Sequence, residues 1–125
     1  MNSKKFLTVA GVVLVVVGVL GFLGPIGPDA MSSWFGSFWY FDNYENWAHL
    51  VLGIVALLAS YGLARGTQKQ LVTLVGVIAL FVGLWNIWNS SLLGAELQNP
   101  PDLLLHLLIG VWALWVVRGD NGKRR

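Results

Sequence analysis

Polar residues interrupt this chain only at long intervals, leaving four apolar stretches: Phe6 to Leu23, Trp47 to Ala64, Leu71 to Trp88 and Leu103 to Val117. A helix needs about 17–25 mostly apolar residues to cross a bilayer. The first three stretches meet that length; the fourth is short, and needs Pro100–Asp102 or Arg118 at the interface to complete it. The pattern predicts four transmembrane helices over about 5–24, 46–65, 69–90 and 101–118, in one domain spanning 1–125, with 25–45 as an outer loop. In that loop Gly24-Pro25-Ile26-Gly27-Pro28 forces a turn. Ser32 to Phe41 follows, too short to span and rich in aromatic rings, which predicts a short interfacial helix or re-entrant turn at the headgroup layer. Trp47, Trp85 and Trp88 extend it into an outer aromatic belt, and Trp112 and Trp115 lie nearer an inner one. The short Arg65–Lys69 connection predicts that helices two and three are antiparallel neighbours.

The stretches are related in pairs. Lys4, Thr8, Gly11, Val12, Val17 and Gly18 recur 65 positions later as Lys69, Thr73, Gly76, Val77, Val82 and Gly83. His49, Leu50, Gly53, Ala56 and Leu57 recur 57 positions later as His106, Leu107, Gly110, Ala113 and Leu114. Each repeat holds two helices, so both copies insert with the same topology, as a parallel repeat about an axis along the membrane normal. His49 and His106 are then expected at one depth. The glycine pairs Gly11/Gly18 and Gly76/Gly83 each mark one helical stripe. Such stripes either let helices approach closely or leave room for a flat cofactor.

Composition agrees with a membrane protein. The 125 residues are 56% hydrophobic and 11% charged, against roughly 25% charged in a soluble domain. All eight basic residues (Lys4, Lys5, Arg65, Lys69, Arg118, Lys123, Arg124, Arg125) fall on one side, and five of six acids (Asp29, Asp42, Glu45, Glu96, Asp102) on the other; Asp120 breaks the pattern. The positive-inside rule places both termini in the cytoplasm, as expected of a multi-pass protein of the cell's inner (plasma) membrane. The basic balance serves topology and attraction to anionic lipid, with no nucleic-acid partner implied. Lys4 and Lys5 resemble the start of a signal peptide, but the apolar run is too long and no A-x-A site follows, so the first helix is expected to stay. The chain has no cysteine, which excludes disulfides, thiolate metal sites and thiol catalysis.

Candidate chemistry gathers in two copies of one motif: Glu45, His49, Gly53 and Asp102, His106, Gly110, each spaced by four, so each triplet lines one helix face. Asn86 and Asn89 end the third helix nearby. Ionisable groups in a membrane segment point to a functional site. Three readings stand open. In the first, each carboxylate accepts its histidine's ring N–H and Asp102 caps helix four, so the motif locks helices two and four in register. In the second, His49 and His106 ligate a haem b iron with Gly53 and Gly110 giving space for the porphyrin, or His49, His106, Glu45 and Asp102 hold a transition metal. In the third, the cluster senses pH or a ligand from outside; no acid or base continues it through the inner half, so transport by this chain alone is not expected. There is no phosphate-binding glycine loop, no G-x-S-x-G and no H-E-x-x-H, and an enzyme is not expected. Asn89-Ser90-Ser91 matches a glycosylation acceptor at a helix end.

Gly18-Val19-Leu20-Gly21-Phe22-Leu23, Trp34-Phe35-Gly36, Asn46-Trp47-Ala48-His49-Leu50 with Gly53, and Asn99-Pro100-Pro101-Asp102 with His106 and Gly110 together resemble a family of small bacterial four-helix membrane proteins filed as a domain of unknown function. The resemblance covers nearly the whole chain. It implies a four-helix topology and importance for the Asn/Asp…His…Gly motifs on helices two and four, and no activity. Leu103 and Leu104 stand where a more polar start to helix four is expected. The expected molecule is an all-α integral membrane bundle of two parallel hairpin repeats. Its expected role is structural or accessory, engaging the bilayer, other membrane proteins or a second copy, with no cofactor as the default. The alternative is a bis-histidine haem or metal protein for electron transfer or sensing.

Overall fold

The first two helices begin where side chains satisfy their first backbone N–H groups. The computed structural model describes residues 1–92, 94–98 and 100–122; Asn99, Lys123, Arg124 and Arg125, used above in motif and charge arguments, lie outside the described residues. Helix α1 (Ser3–Leu23) is opened by Asn2, whose side chain accepts the Lys5 N–H at 2.8 Å. It closes at Gly24, whose φ of 133° favours glycine and whose N–H returns to the Leu20 carbonyl.

Helix α2 (Asn43–Gly62) starts ahead of the expected 46 because Asp42 and Glu45 form a capping box. Asp42 accepts the Glu45 N–H at 2.9 Å, and Glu45 accepts the Asp42 N–H at 3.2 Å. Helix α3 (Arg65–Trp88) also starts earlier than its apolar stretch suggests. The reason is Gln68, whose amide Nε2–H donates to the Ala59 and Ser60 carbonyls at 3.1 Å each. It thereby ties the start of α3 to the last turn of α2, as a second donor to the Ala59 carbonyl, which also accepts the Leu63 N–H. The expected Arg65–Lys69 loop is therefore helix, and only Leu63 and Ala64 connect α2 to α3. After α3 comes an antiparallel pair too short to leave an alternating pattern: β1 (Ser91–Leu92) and β2 (Ala95–Glu96). Helix α4 (Pro101–Gly122) completes the chain.

Among the described residues three helices are long and apolar enough to cross a membrane: α1, α3 and the Pro101–Asp120 part of α4. The fourth stretch, expected to need its flanking residues, is among them, and the second, expected to span, is not. Helix α4 qualifies once Pro101, Asp102 and Arg118 complete its apolar stretch, whereas α2 falls short because Glu45, Asn46 and His49 crowd its first two turns.

The helices pack as two hairpins, α1 on α2 and α3 on α4, with α1 also touching α3 and α4. Helices α2 and α3 are not the packed neighbours their short connection suggests. The glycines decide this. A Cβ on Gly53 would lie 2.8 Å from the Gly11 carbonyl oxygen and 2.8 Å from the Val15 nitrogen; one on Gly110 would meet Leu80 and, at 3.0 Å, the Gly76 carbonyl oxygen. Gly18 closes on Leu50, and Gly83 on Leu107. These residue pairs recur in the second hairpin at the offsets of 65 and 57, except that Gly110 meets the Leu80 side chain where Gly53 meets the Val15 backbone as well.

The buried apolar core lies at the basic end, from Phe6, Leu7 and Ala10 of α1, Ala59 of α2, Val72 of α3, and Ala113 and Val116 of α4. Trp112, expected as an interfacial anchor, packs its ring against Phe6 at 4.5 Å, while Trp115 stays exposed. Asp120, the acid on the basic side, accepts the buried Ser3 N–H at 3.1 Å and pairs with Arg65 at 3.3 Å. It ties the end of α4 to the starts of α1 and α3.

Candidate functional site

At the acidic end two helix starts and two loops converge. The loop after α1 carries one 3-10 turn at Gly36–Phe38 and splits its aromatics: Trp34, Phe35 and Phe38 are exposed, while Phe41 is buried. Phe41 packs one face on Trp39 (5.4 Å) and another on the His49 ring (4.9 Å). The expected interfacial helix is thus a single 3-10 turn, with its inner rings committed to the motif.

Asp102 is fully buried, and both its oxygens accept: Oδ1 from the Trp39 indole Nε1–H at 3.2 Å, Oδ2 from the Gln98 N–H at 2.7 Å. Asp42 couples the halves a second time, its Oδ2 accepting the Glu96 N–H at 2.7 Å. The Tyr40 hydroxyl donates to Glu96 Oε1 at 2.9 Å. That bond, followed by burial and the neighbouring carboxylates, holds the phenol above its ordinary pKa.

The expected carboxylate–histidine bonds do not form. His106 Nδ1 lies 2.7 Å from the Asp102 backbone carbonyl; a carbonyl only accepts, so Nδ1 carries the proton and a neutral His106 keeps Nε2 as an acceptor. His49 Nδ1 is buried with no partner, as is Glu45 Oε2. Helical side chains lean toward the N-terminus. Glu45 therefore folds back onto its own cap and Asp102 onto the preceding loop, each away from the histidine one turn later. The four motif residues do share one neighbourhood: Glu45 is within electrostatic reach of Asp102, and His49 of His106.

Neither cofactor geometry is built. Gly53 and Gly110 open no cradle, since their faces are filled by the backbone of α1 and by Leu80 and Gly76 of α3. Among the described residues, no three histidine or carboxylate side chains gather so as to hold a metal ion.

A buried amide completes the site in each half. Asn46 Nδ2 donates to the Phe41 carbonyl and Asn86 Nδ2 to the Gln98 carbonyl, both at 3.2 Å. Phe41 and Gln98 are equivalent at the offset of 57, but their donors are not. In the first hairpin the amide comes from α2 and stands against Gly21; in the second it comes from α3, at the position equivalent to Gly21. The same bond is delivered from opposite helices. Asp42, Glu96, Trp39 and Gln98 carry no role in the motif-based reading. Asp42 was recoverable from its capping-box spacing to Glu45; the others act through loop geometry that leaves no local signal. Compared with family models, curated proteins and solved structures, the chain matches none.

Proposed function

We propose that this chain is a small multi-pass protein of the bacterial inner membrane, with both termini cytoplasmic and two parallel hairpin repeats, and that its role is structural or accessory rather than enzymatic. The observation that carries it is the recurrence of the glycine contacts in both hairpins. Close backbone approach through small residues is how helices associate where water supplies no driving force. On this reading α2 spans as well, its polar first turns lying at the outer interface and satisfied by the capping box and the two outer loops. The resemblance to the small four-helix family, carried by the motif residues alone, adds the same topology.

The absence of cysteine allows a direct test. In inside-out and right-side-out vesicles, Met31→Cys is expected to react with an impermeant thiol reagent only from outside, and Gly66→Cys only from the cytoplasmic side. Labelling of both from one side would overturn the topology. The purified protein is also expected to show no Soret band; a band abolished by changing His49 or His106 would make it a haem protein.

A second reading is favoured by the orphaned Glu45 Oε2 and His49 Nδ1. A buried polar atom without a partner is costly and marks a place where a proton or hydrogen-bonding ligand is accommodated. Here the acidic end is an outward-facing sensor, and the membrane bundle is its scaffold.

A further inference from the structure

At the basic end a cleft of about 590 Å³ opens between the start of α1 and the start of α3, lined by Lys4, Lys5, Thr8, Val9, Arg65 and Asp120 among others. A smaller cavity of about 270 Å³ adjoins it and shares Lys4, Arg65 and Asp120. The one carboxylate in the cleft is consumed by the Ser3 N–H and Arg65. Among the described residues Arg65–Asp120 is the only ion pair, so Lys4 and Lys5 face the cleft uncompensated. The wall is apolar on one side. Val9 leads onto Val12, Val13 and Val16, all exposed and spaced along one stripe of α1. Cations at the mouth and an open apolar track running away from them describe a receptor for an amphiphile with an anionic head.

We propose that this cleft binds the phosphate of an anionic phospholipid of the cytoplasmic leaflet, between Lys4 and Lys5 with Arg65 behind them, its acyl chain lying along Val9, Val12 and Val16. Basic pockets at the cytoplasmic ends of membrane helices suit such headgroups. The inference rests on the membrane-spanning reading, which the cysteine labelling tests separately. The repeat supplies an internal control. Lys69 is the equivalent of Lys4, yet it lines neither cavity. A built site must distinguish the two lysines, whereas general attraction to a charged surface does not.

The test is native mass spectrometry of the full chain in mild detergent with phosphatidylglycerol or phosphatidylcholine. One phosphatidylglycerol is expected to be retained by the natural protein and by Lys69→Gln. Retention is expected to fall roughly tenfold or more in the Lys4→Gln/Lys5→Gln double variant. It is also expected to fall in Val9→Trp, which fills the cleft from an exposed position without changing charge. Equal retention of both lipids overturns the site, as does equal loss in Lys69→Gln. Displacement of the lipid by millimolar inorganic phosphate with tight binding of that ion assigns a soluble phosphate and overturns the lipid.

Discussion

Gly53→Ala is expected to lower stability by about 2 kcal/mol, while Gly110→Ala leaves it nearly unchanged. Two opposing effects set the difference. Alanine is the better helix former by about 1 kcal/mol at either position. Overpacking costs about 1–3 kcal/mol, depending on what has to move. At Gly53 the new methyl would press on the Gly11 carbonyl oxygen and the Val15 nitrogen, both at 2.8 Å. These are backbone atoms, so relief requires α1 and α2 to separate, and the upper end of the range applies. At Gly110 the nearest atoms belong to the Leu80 side chain, 2.6 and 2.7 Å away, with the Gly76 carbonyl at 3.0 Å. A leucine can rotate, so the lower end applies and the helix gain cancels it. Reversible unfolding in mixed micelles, followed by circular dichroism, reads both. Equal losses would mean that the two hairpins are not held by the contacts described.

The second large effect concerns the two motif carboxylates, which look alike in sequence. Asp102→Asn is expected to cost about 2–3 kcal/mol, and Glu45→Gln less than about 0.5 kcal/mol. Both Asp102 oxygens receive N–H donors. An amide keeps one acceptor and turns its own N–H₂ toward the other donor, stranding either the Trp39 indole or the Gln98 N–H in a buried site. Glu45 uses Oε1 alone, and its Oε2 has no partner. Glutamine retains the cap acceptor, and no bond made by Oε2 is lost. The same micelle titration decides it; a Glu45→Gln loss as large as that of Asp102→Asn would show that Glu45 Oε2 has a partner in the folded protein.

The fold was legible wherever the two repeats kept the same residue. Gly11, Gly18, Gly53, Gly76, Gly83 and Gly110 report close helix contacts directly, and the structure places backbone or side-chain atoms against each. Where the repeats differ, the pattern hid the relationship. Gly21 aligns with Asn86 and Asn46 with Leu103, so nothing in the alignment shows that one buried amide serves both halves. The helix starts were misread for a related reason. Apolar periodicity marks the buried stretch, whereas α2 and α3 begin with polar turns whose stability comes from Asp42, Glu45 and Gln68 bonding to chain ends. The histidine pairs were overread. A spacing of four places two residues on one face, but side chains that lean back toward the N-terminus carry the acid away from its partner.

The bonds between the halves at the acidic end have an order imposed by synthesis. Trp39 and Asp42 lie ahead of α2, whereas their partners Asp102 and Glu96 are made only after α3, Asp102 with the final helix itself. The first hairpin can close on Gly11, Gly18 and Gly53 as soon as α2 is made, since all its glycine contacts are internal to it. Until α4 is in place the Trp39 indole lacks its acceptor, and only Phe41, packed on His49 and accepting the Asn46 amide, ties the aromatic loop down. Arrival of the last helix is therefore registered by the first loop, and a chain truncated before α4 is expected to leave Trp39 and its neighbours more open to proteases.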